Sequence, residues 1–158
     1  MGAALPPYVA VVGPGEATAA QAALAEAVGR GLAQRGAILL SGGHGGVMEA
    51  ACRGAASANG VNVAILSGTD RSVANEWVDI ALPTGLGQLR NGLIVRAADA
   101  IVAVGGAYGT LSEIAMALKT GVPVVGLGTW AIDGIEVVDS AQTAVSRALE
   151  LASQPTAG

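Results

Sequence analysis

Two ionisable side chains stand out in a sequence that has few of them. Arg90 falls in the first turn of an expected helix, where a cation opposes the positive end of the helix dipole by roughly 0.3–1 kcal/mol. A ligand phosphate gripped by the guanidinium fork would offset that cost, and so would an ion pair with a nearby carboxylate such as Asp79. Glu113 closes the run Gly105-Gly106-Ala107-Tyr108-Gly109-Thr110-Leu111-Ser112-Glu113, a Gly-rich turn leading straight into a helix. Such a turn aims backbone N–H groups and the helix dipole at an anion. Glu113 follows Thr110 by three residues, which leaves two readings open. It could reach back to the N–H of Thr110 as a capping box. It could instead face a crevice and bind sugar hydroxyls, or stabilise positive charge developing at a sugar C1′. Arg96, lower on the same helix as Arg90, could pair with Asp99 or face the crevice, and ranks below Arg90.

Other candidate ligand contacts are set by where the glycines fall. Gly13 and Gly15, Gly42, Gly43 and Gly46, then Gly68, then Gly105, Gly106 and Gly109, and finally Gly126 and Gly128, all follow apolar runs of strand length. In a doubly wound sheet these carboxyl ends share one crevice, the usual place for a ligand. A phosphorylated small molecule is the natural guest. A dinucleotide fingerprint is not met, because Thr18 stands at its third glycine and the second strand ends on Ser41 rather than an acidic residue. A mononucleotide-sized ligand fits better. The only lysine, Lys119, has no Gly-Lys-Ser/Thr context, which excludes a Walker A phosphate loop.

The elements that must position these residues read as a single α/β domain over residues 1–158. It is a Rossmann-like, doubly wound parallel sheet of about six strands with helices on both faces. The expected strands are Tyr8 to Val12, Ala37 to Leu40, Val61 to Leu66, Val78 to Ala81, Ala100 to Val104 and Pro123 to Leu127. The first helix is announced by a Thr18-x-x-Gln21 capping box and stopped at Gly36. Further helices are expected from Val47 to Ala58, Leu86 to Ala98 (with Leu89, Leu93 and Val95 on its apolar side), Thr110 to Gly121 (with Ile114, Ala115 and Leu118 inward), and Ser140 to Ala152 behind an Asp139-x-x-Gln142 cap. The tail from Ser153 to Gly158 reads as disordered.

Composition removes several classes. Of 158 residues 52% are apolar and only 13% charged, so the chain has ample surface to bury and disorder is excluded. One histidine, His44, and one cysteine, Cys52, are too few for a His/Cys zinc site or an internal disulfide, so no metal is expected and cytoplasmic residence fits. A net charge of −4 argues against nucleic acid as a partner. No apolar stretch reaches the ~18 residues of a membrane span, and the start, Met1 to Pro7, lacks the basic region of a signal peptide. Ala-rich helices with little charge point to a homodimer or homotetramer, with Leu93 or Ile114 near the interface.

Several of these segments resemble a known family. Arg90-Asn91, Ala98-Asp99-Ala100 and Gly106-Ala107-Tyr108-Gly109-Thr110-Leu111-Ser112-Glu113, with Ser41-Gly42-Gly43 and Gly46-Val47-Met48 upstream, are similar in order and spacing to the signatures of the Lonely Guy and lysine decarboxylase-like (SLOG) superfamily. That resemblance implies hydrolysis of the N-glycosidic bond of nucleoside 5′-monophosphates to free base and ribose 5-phosphate. It implies Arg90 and Glu113 as catalytic residues and Gly106, Gly109 and Thr110 as phosphate holders; Met48, Gly105 and Tyr108, in or beside the same segments, complete the expected ligand contacts. The sequence also departs from that pattern: Gly105 replaces a proline, Ala107 a glycine, Asn91 a lysine, and Gly13-Pro14-Gly15 a Cys-Gly-Ser. Together with Thr84-Gly85-Leu86-Gly87 and Ser112-Glu113-Ile114-Ala115, these departures look closer to the molybdenum cofactor carrier branch, a relative of DNA processing protein A. On that side the implied role is non-catalytic binding of a nucleotide, phosphate or molybdopterin-type ligand, with no cofactor required for chemistry.

Overall fold

The computed structural model describes residues 2–155. These residues form one seven-stranded sheet in the order β4-β3-β2-β1-β5-β6-β7, with every neighbouring pair parallel, flanked by five α-helices. In chain order the elements are β1 (Tyr8–Val12), α1 (Ala19–Gln34), β2 (Ile38–Ser41), α2 (Val47–Ser57), β3 (Asn62–Leu66) and β4 (Ile80–Pro83). They continue with α3 (Arg90–Ala97), β5 (Ala100–Val104), α4 (Tyr108–Thr120), β6 (Val124–Leu127), β7 (Glu136–Val138) and α5 (Ala141–Ala152). The fold is α/β and Rossmann-like. No helix in the described residues is long and apolar enough to cross a membrane.

Alternation along the central strands divides the core. Val9 and Val11 of β1 and Val102 and Val104 of β5 face α1, α2 and α5, whereas Ala10, Val12, Ile101 and Ala103 face α3 and α4. Both faces are covered, so these strands are apolar at almost every position. The α1–α2 crossing is unusually close. A Cβ on Gly29 would strike the Ala51 carbonyl, and one on Gly54 would strike the Glu26 carbonyl, so two glycines inside helices let the backbones touch. Their ~1 kcal/mol propensity cost apiece is offset by that contact.

Local chemistry accounts for the element ends. Thr18 and Gln21 make both bonds of the capping box, and Gly121, in the left-handed region, closes α4. Other expectations are corrected. The sheet has seven strands rather than six, because β7 is three residues long with Val137 exposed, too short and mixed to show an apolar run. The fourth strand starts at Ile80 rather than Val78, and Pro83, which has no N–H to give, ends it at the sheet edge. The α5 cap is Ser140, whose side chain accepts from the Thr143 N–H, not Asp139. On α3, Ile94 and Val95 are buried while Leu89 and Leu93 are exposed, and on α4 Ala115 is exposed and Ile114 is wholly buried. Of the tail expected to be disordered, Ser153 and Gln154 donate to Leu149 and Leu151 as a helix end, and residues 156–158 lie outside those described.

Candidate functional site

A cavity of about 270 Å³ opens at the carboxyl ends of β1 and β2 and the N-termini of α2, α3 and α4. The strand order reverses direction around β1 and β5, which leaves a crevice at this edge. From β1 the cavity takes Gly13, Pro14 and Gly15; from the β2–α2 loop and α2 it takes Gly42 and Met48. From α3 and the 3₁₀ turn before it the cavity takes Gln88, Arg90 and Asn91, and from α4 and its N-cap Ala107, Gly109, Thr110 and Glu113. The helix ends are arranged consistently. α2, α3 and α4 have no side-chain cap, whereas α1 and α5, which contribute nothing to the cavity lining, are capped by Thr18 and Ser140. At α2 and α4 this leaves unpaired N–H groups and a positive dipole end beside the cavity, whereas the Arg90 N–H that opens α3 is taken by carbonyls of the preceding 3₁₀ turn.

Glu113 is 7% exposed, its carboxylate makes no hydrogen bond among the described residues, and it lines this cavity. The capping-box reading of Thr110 and Glu113 is therefore corrected: α4 begins at Tyr108 behind Ala107, and Thr110 is already its third residue. Burial pushes the Glu113 carboxyl up to about 7, with the Arg90 charge pulling the other way. The Thr110 hydroxyl on the same turn is buried with no partner.

Arg90 is more constrained than an exposed cation. Its Nη1 donates to the carbonyls of Gly42 (2.9 Å) and Ile65 (2.6 Å), and its Nε donates to Asn91 Oδ1 (3.0 Å). Burial lowers its pKa and Glu113 opposes that shift, but a guanidinium stays charged. The alternative ion pair with Asp79 is not formed, because the Asp79 carboxylate accepts from the Asn62 N–H. Asp99 likewise accepts from the Tyr8 N–H, and Arg96 makes no ion pair among the described residues. Glycine at position 42 makes room for this arrangement, since a Cβ there would lie 2.7 Å from Arg90 Nη1 and 2.9 Å from Met48 Sδ and push those side-chain ends aside.

The remaining expected contacts divide. Gly13, Gly15, Gly42, Met48, Gly109 and Thr110 line the cavity with Arg90 and Glu113. Gly43, Gly46, Gly105, Gly106 and Tyr108 do not. Gly43 turns the chain against Ala64 and Leu66, Gly46 lies on Pro14 and Gly15, and Gly105 and Gly106 lie on Gln21 and Trp130. Tyr108 is 84% exposed and stacks on Trp130, ring centroids 6.2 Å apart. Three polar or shaping residues went unread as ligand contacts: Pro14, Gln88 and Asn91. Asn91 sits beside Arg90 in sequence, and its amide Nδ2 donates to Ser112 Oγ (3.3 Å), which in turn donates to the Gly109 carbonyl (2.7 Å). That chain ties the guanidinium to the first turn of α4. Among the described residues no three His, Cys, Asp or Glu side chains cluster as metal ligands.

Residues 6–157 match the SLOG cluster4 family. The chain belongs to that family. An uncharacterized protein of Archaeoglobus fulgidus is 42% identical over 139 residues, 87% of this chain and 91% of the other. Among solved structures, this SLOG cluster4 member is similar to the molybdenum cofactor binding protein of Rippkaea orientalis, with a TM-score of 0.89 and 33% identity over 94% of this chain and 99% of that one. It is also similar to the molybdenum cofactor carrier protein of Chlamydomonas reinhardtii, with a TM-score of 0.87 and 32% identity over 95% and 100% of the two chains.

Proposed function

We propose that this protein binds and carries a phosphorylated ligand of the molybdopterin type. The observation that carries the reading is the convergence of the uncapped starts of α2 and α4, the Arg90 guanidinium and the buried, unpartnered Thr110 hydroxyl on one cavity. A phosphate seated there accepts from the first N–H groups of α4 and from Thr110, and faces the Arg90 charge. A cavity of about 270 Å³ is near the lower end of the ~300–1,000 Å³ usual for small-molecule sites. It takes the phosphate end, and the ring system extends into the crevice mouth. The likeness to the two molybdenum cofactor proteins over nearly the whole chain supports the pterin as cargo. Anaerobic incubation with molybdenum cofactor, gel filtration and fluorimetry of the oxidised pterin test it. About one pterin per chain in the protein peak is expected, and none retained overturns the proposal.

A second reading rests on Glu113, whose buried carboxyl titrates at about 7 close to Arg90. A carboxylate there suits stabilisation of a sugar cation while the C1′–N bond of a nucleoside monophosphate breaks, water adds at C1′ and the base leaves with a proton. Incubation with AMP tests it: release of adenine by wild type and not by Glu113→Ala supports hydrolysis, and no release from any nucleoside monophosphate removes it.

For assembly, the apolar face formed by Ile80, Leu82, Leu86, Leu89 and Leu93, all more than two-fifths exposed, supports a symmetric homo-oligomer. Ile114, at 0% exposure, takes no part in it.

A further inference from the structure

The β2–α2 loop is held by a segment that never reaches the cavity. Asn75, in the turn that precedes β4, donates its backbone N–H to the Gly43 carbonyl (2.8 Å) and its side-chain Nδ2 to the His44 carbonyl (3.0 Å), while its Oδ1 accepts from the Trp77 N–H (3.1 Å). Arg90 holds the preceding carbonyl, that of Gly42, and Ser41 Oγ accepts from the Gly43 N–H at 3.1 Å. Three successive carbonyls are thereby fixed. In a trans peptide the N–H points opposite to the C=O. Binding the Gly43 and His44 carbonyls to Asn75 therefore turns the N–H groups of His44 and Gly45 away from it. Neither N–H has a hydrogen-bond partner among the described residues, and both lead into the uncapped start of α2, whose Met48 lines the cavity.

We propose that Asn75 is a positioning residue for the ligand site: by holding the Gly43 and His44 carbonyls it keeps the N–H groups of the β2–α2 loop free to receive an anionic or oxygen-rich group of the ligand. The proposal rests on the binding reading above and adds a residue to it that does not touch the ligand. The preformed loop spares the ligand the cost of ordering it. Two side-chain functions can be separated. Asn75→Asp keeps the acceptor for the Trp77 N–H but replaces the donor to the His44 carbonyl with an oxygen, whereas Asn75→Ala loses both.

The test is calorimetric titration of wild type, Asn75→Asp and Asn75→Ala with ribose 5-phosphate and with AMP, alongside thermal unfolding without ligand. Arg71→Ala serves as control, being on the same segment with no side-chain hydrogen bond to the loop. Loss of one hydrogen bond's worth of organisation corresponds to roughly ten-fold weaker binding. The expected result is that weakening in Asn75→Asp for at least one ligand, at an unfolding midpoint close to wild type, with Arg71→Ala unchanged. Affinity within two-fold of wild type for both ligands overturns the positioning role and leaves the binding reading intact. No binding of either ligand by wild type overturns the positioning role at a phosphate-receiving loop, and the carrier reading is then decided by pterin retention. If the variants do not fold, amide NMR of wild type decides. Ligand-induced shifts at the His44 and Gly45 N–H groups are expected, and their absence while the cavity-lining residues shift overturns the proposal.

Discussion

Arg90 on α3 donates from Nη1 to the carbonyl of Gly42, forty-eight residues earlier, at 2.9 Å. The same nitrogen also meets the Ile65 carbonyl, so one guanidinium joins the ends of β2 and β3 to the start of α3. The cation is a structural clasp as well as a charge at the ligand site. Lysine has one donor nitrogen on a shorter stem, so it cannot serve both carbonyls and also Asn91 Oδ1, which takes the Nε–H. Arg90→Lys should leave buried carbonyls without partners and lower stability by about 2 kcal/mol in urea unfolding, beyond any loss of ligand affinity.

Thr110→Val separates stability from binding. The hydroxyl is buried with no partner, so replacing it with a methyl relieves a desolvated polar group. Apo stability should hold or rise by about 1 kcal/mol in denaturant unfolding. Affinity for ribose 5-phosphate should fall roughly ten-fold or more, because a hydrogen bond to a charged acceptor contributes about 1.5–3 kcal/mol. Equal affinity in the two proteins would take the phosphate out of this turn.

Glu113 makes stability depend on pH in a definite direction. Its folded pKa of about 7 lies above the ordinary 4.5, so between those values the folded state binds more protons than the unfolded state. Its contribution is fully present below pH 4.5 and is lost as pH rises through 7, about 3 kcal/mol in all. Urea unfolding at pH 5 and pH 8 should show this loss in wild type. Glu113→Gln, which cannot ionise, should flatten it.

The exposed leucines of the α3 region give the assembly its own test. Leu89→Glu combined with Leu93→Glu places two charges on the apolar face while leaving Ile94 and Val95 in the core. Light scattering should find wild type as an oligomer and the double variant as a monomer. A wild-type monomer at micromolar concentration would remove the interface.

The sheet was legible because β1, β5 and β6 are apolar at every buried position and because Thr18, Gly36 and Gly121 mark helix ends by local chemistry. The edge strands were less so: β4 and β7 carry fewer buried side chains, and their limits are decided by pairing rather than by residue type. At the candidate site, strand-end glycines pointed to the edge where the cavity opens, yet proximity in sequence did not separate Gly42, which lines the cavity, from Gly43, which turns away into Ala64 and Leu66. Asn91 bonds the Arg90 guanidinium and Ser112, and Asn75 the distant carbonyls of Gly43 and His44, and nothing in their local sequence announces such partners.

The close contact of α1 and α2 at Gly29 and Gly54 has a mechanical consequence. Where backbone meets backbone there are no rotamers to exchange, so that crossing has a single arrangement. The end of α2 at the crevice is therefore a fixed jaw. The opposite jaw is α3, eight residues long and joined to β4 through a short 3₁₀ turn. That side is pinned by bonds, since Arg90 holds the Gly42 and Ile65 carbonyls and Asn91 reaches Ser112, so adjustment to guests of different width falls to Gln88, whose side chain makes no hydrogen bond among the described residues.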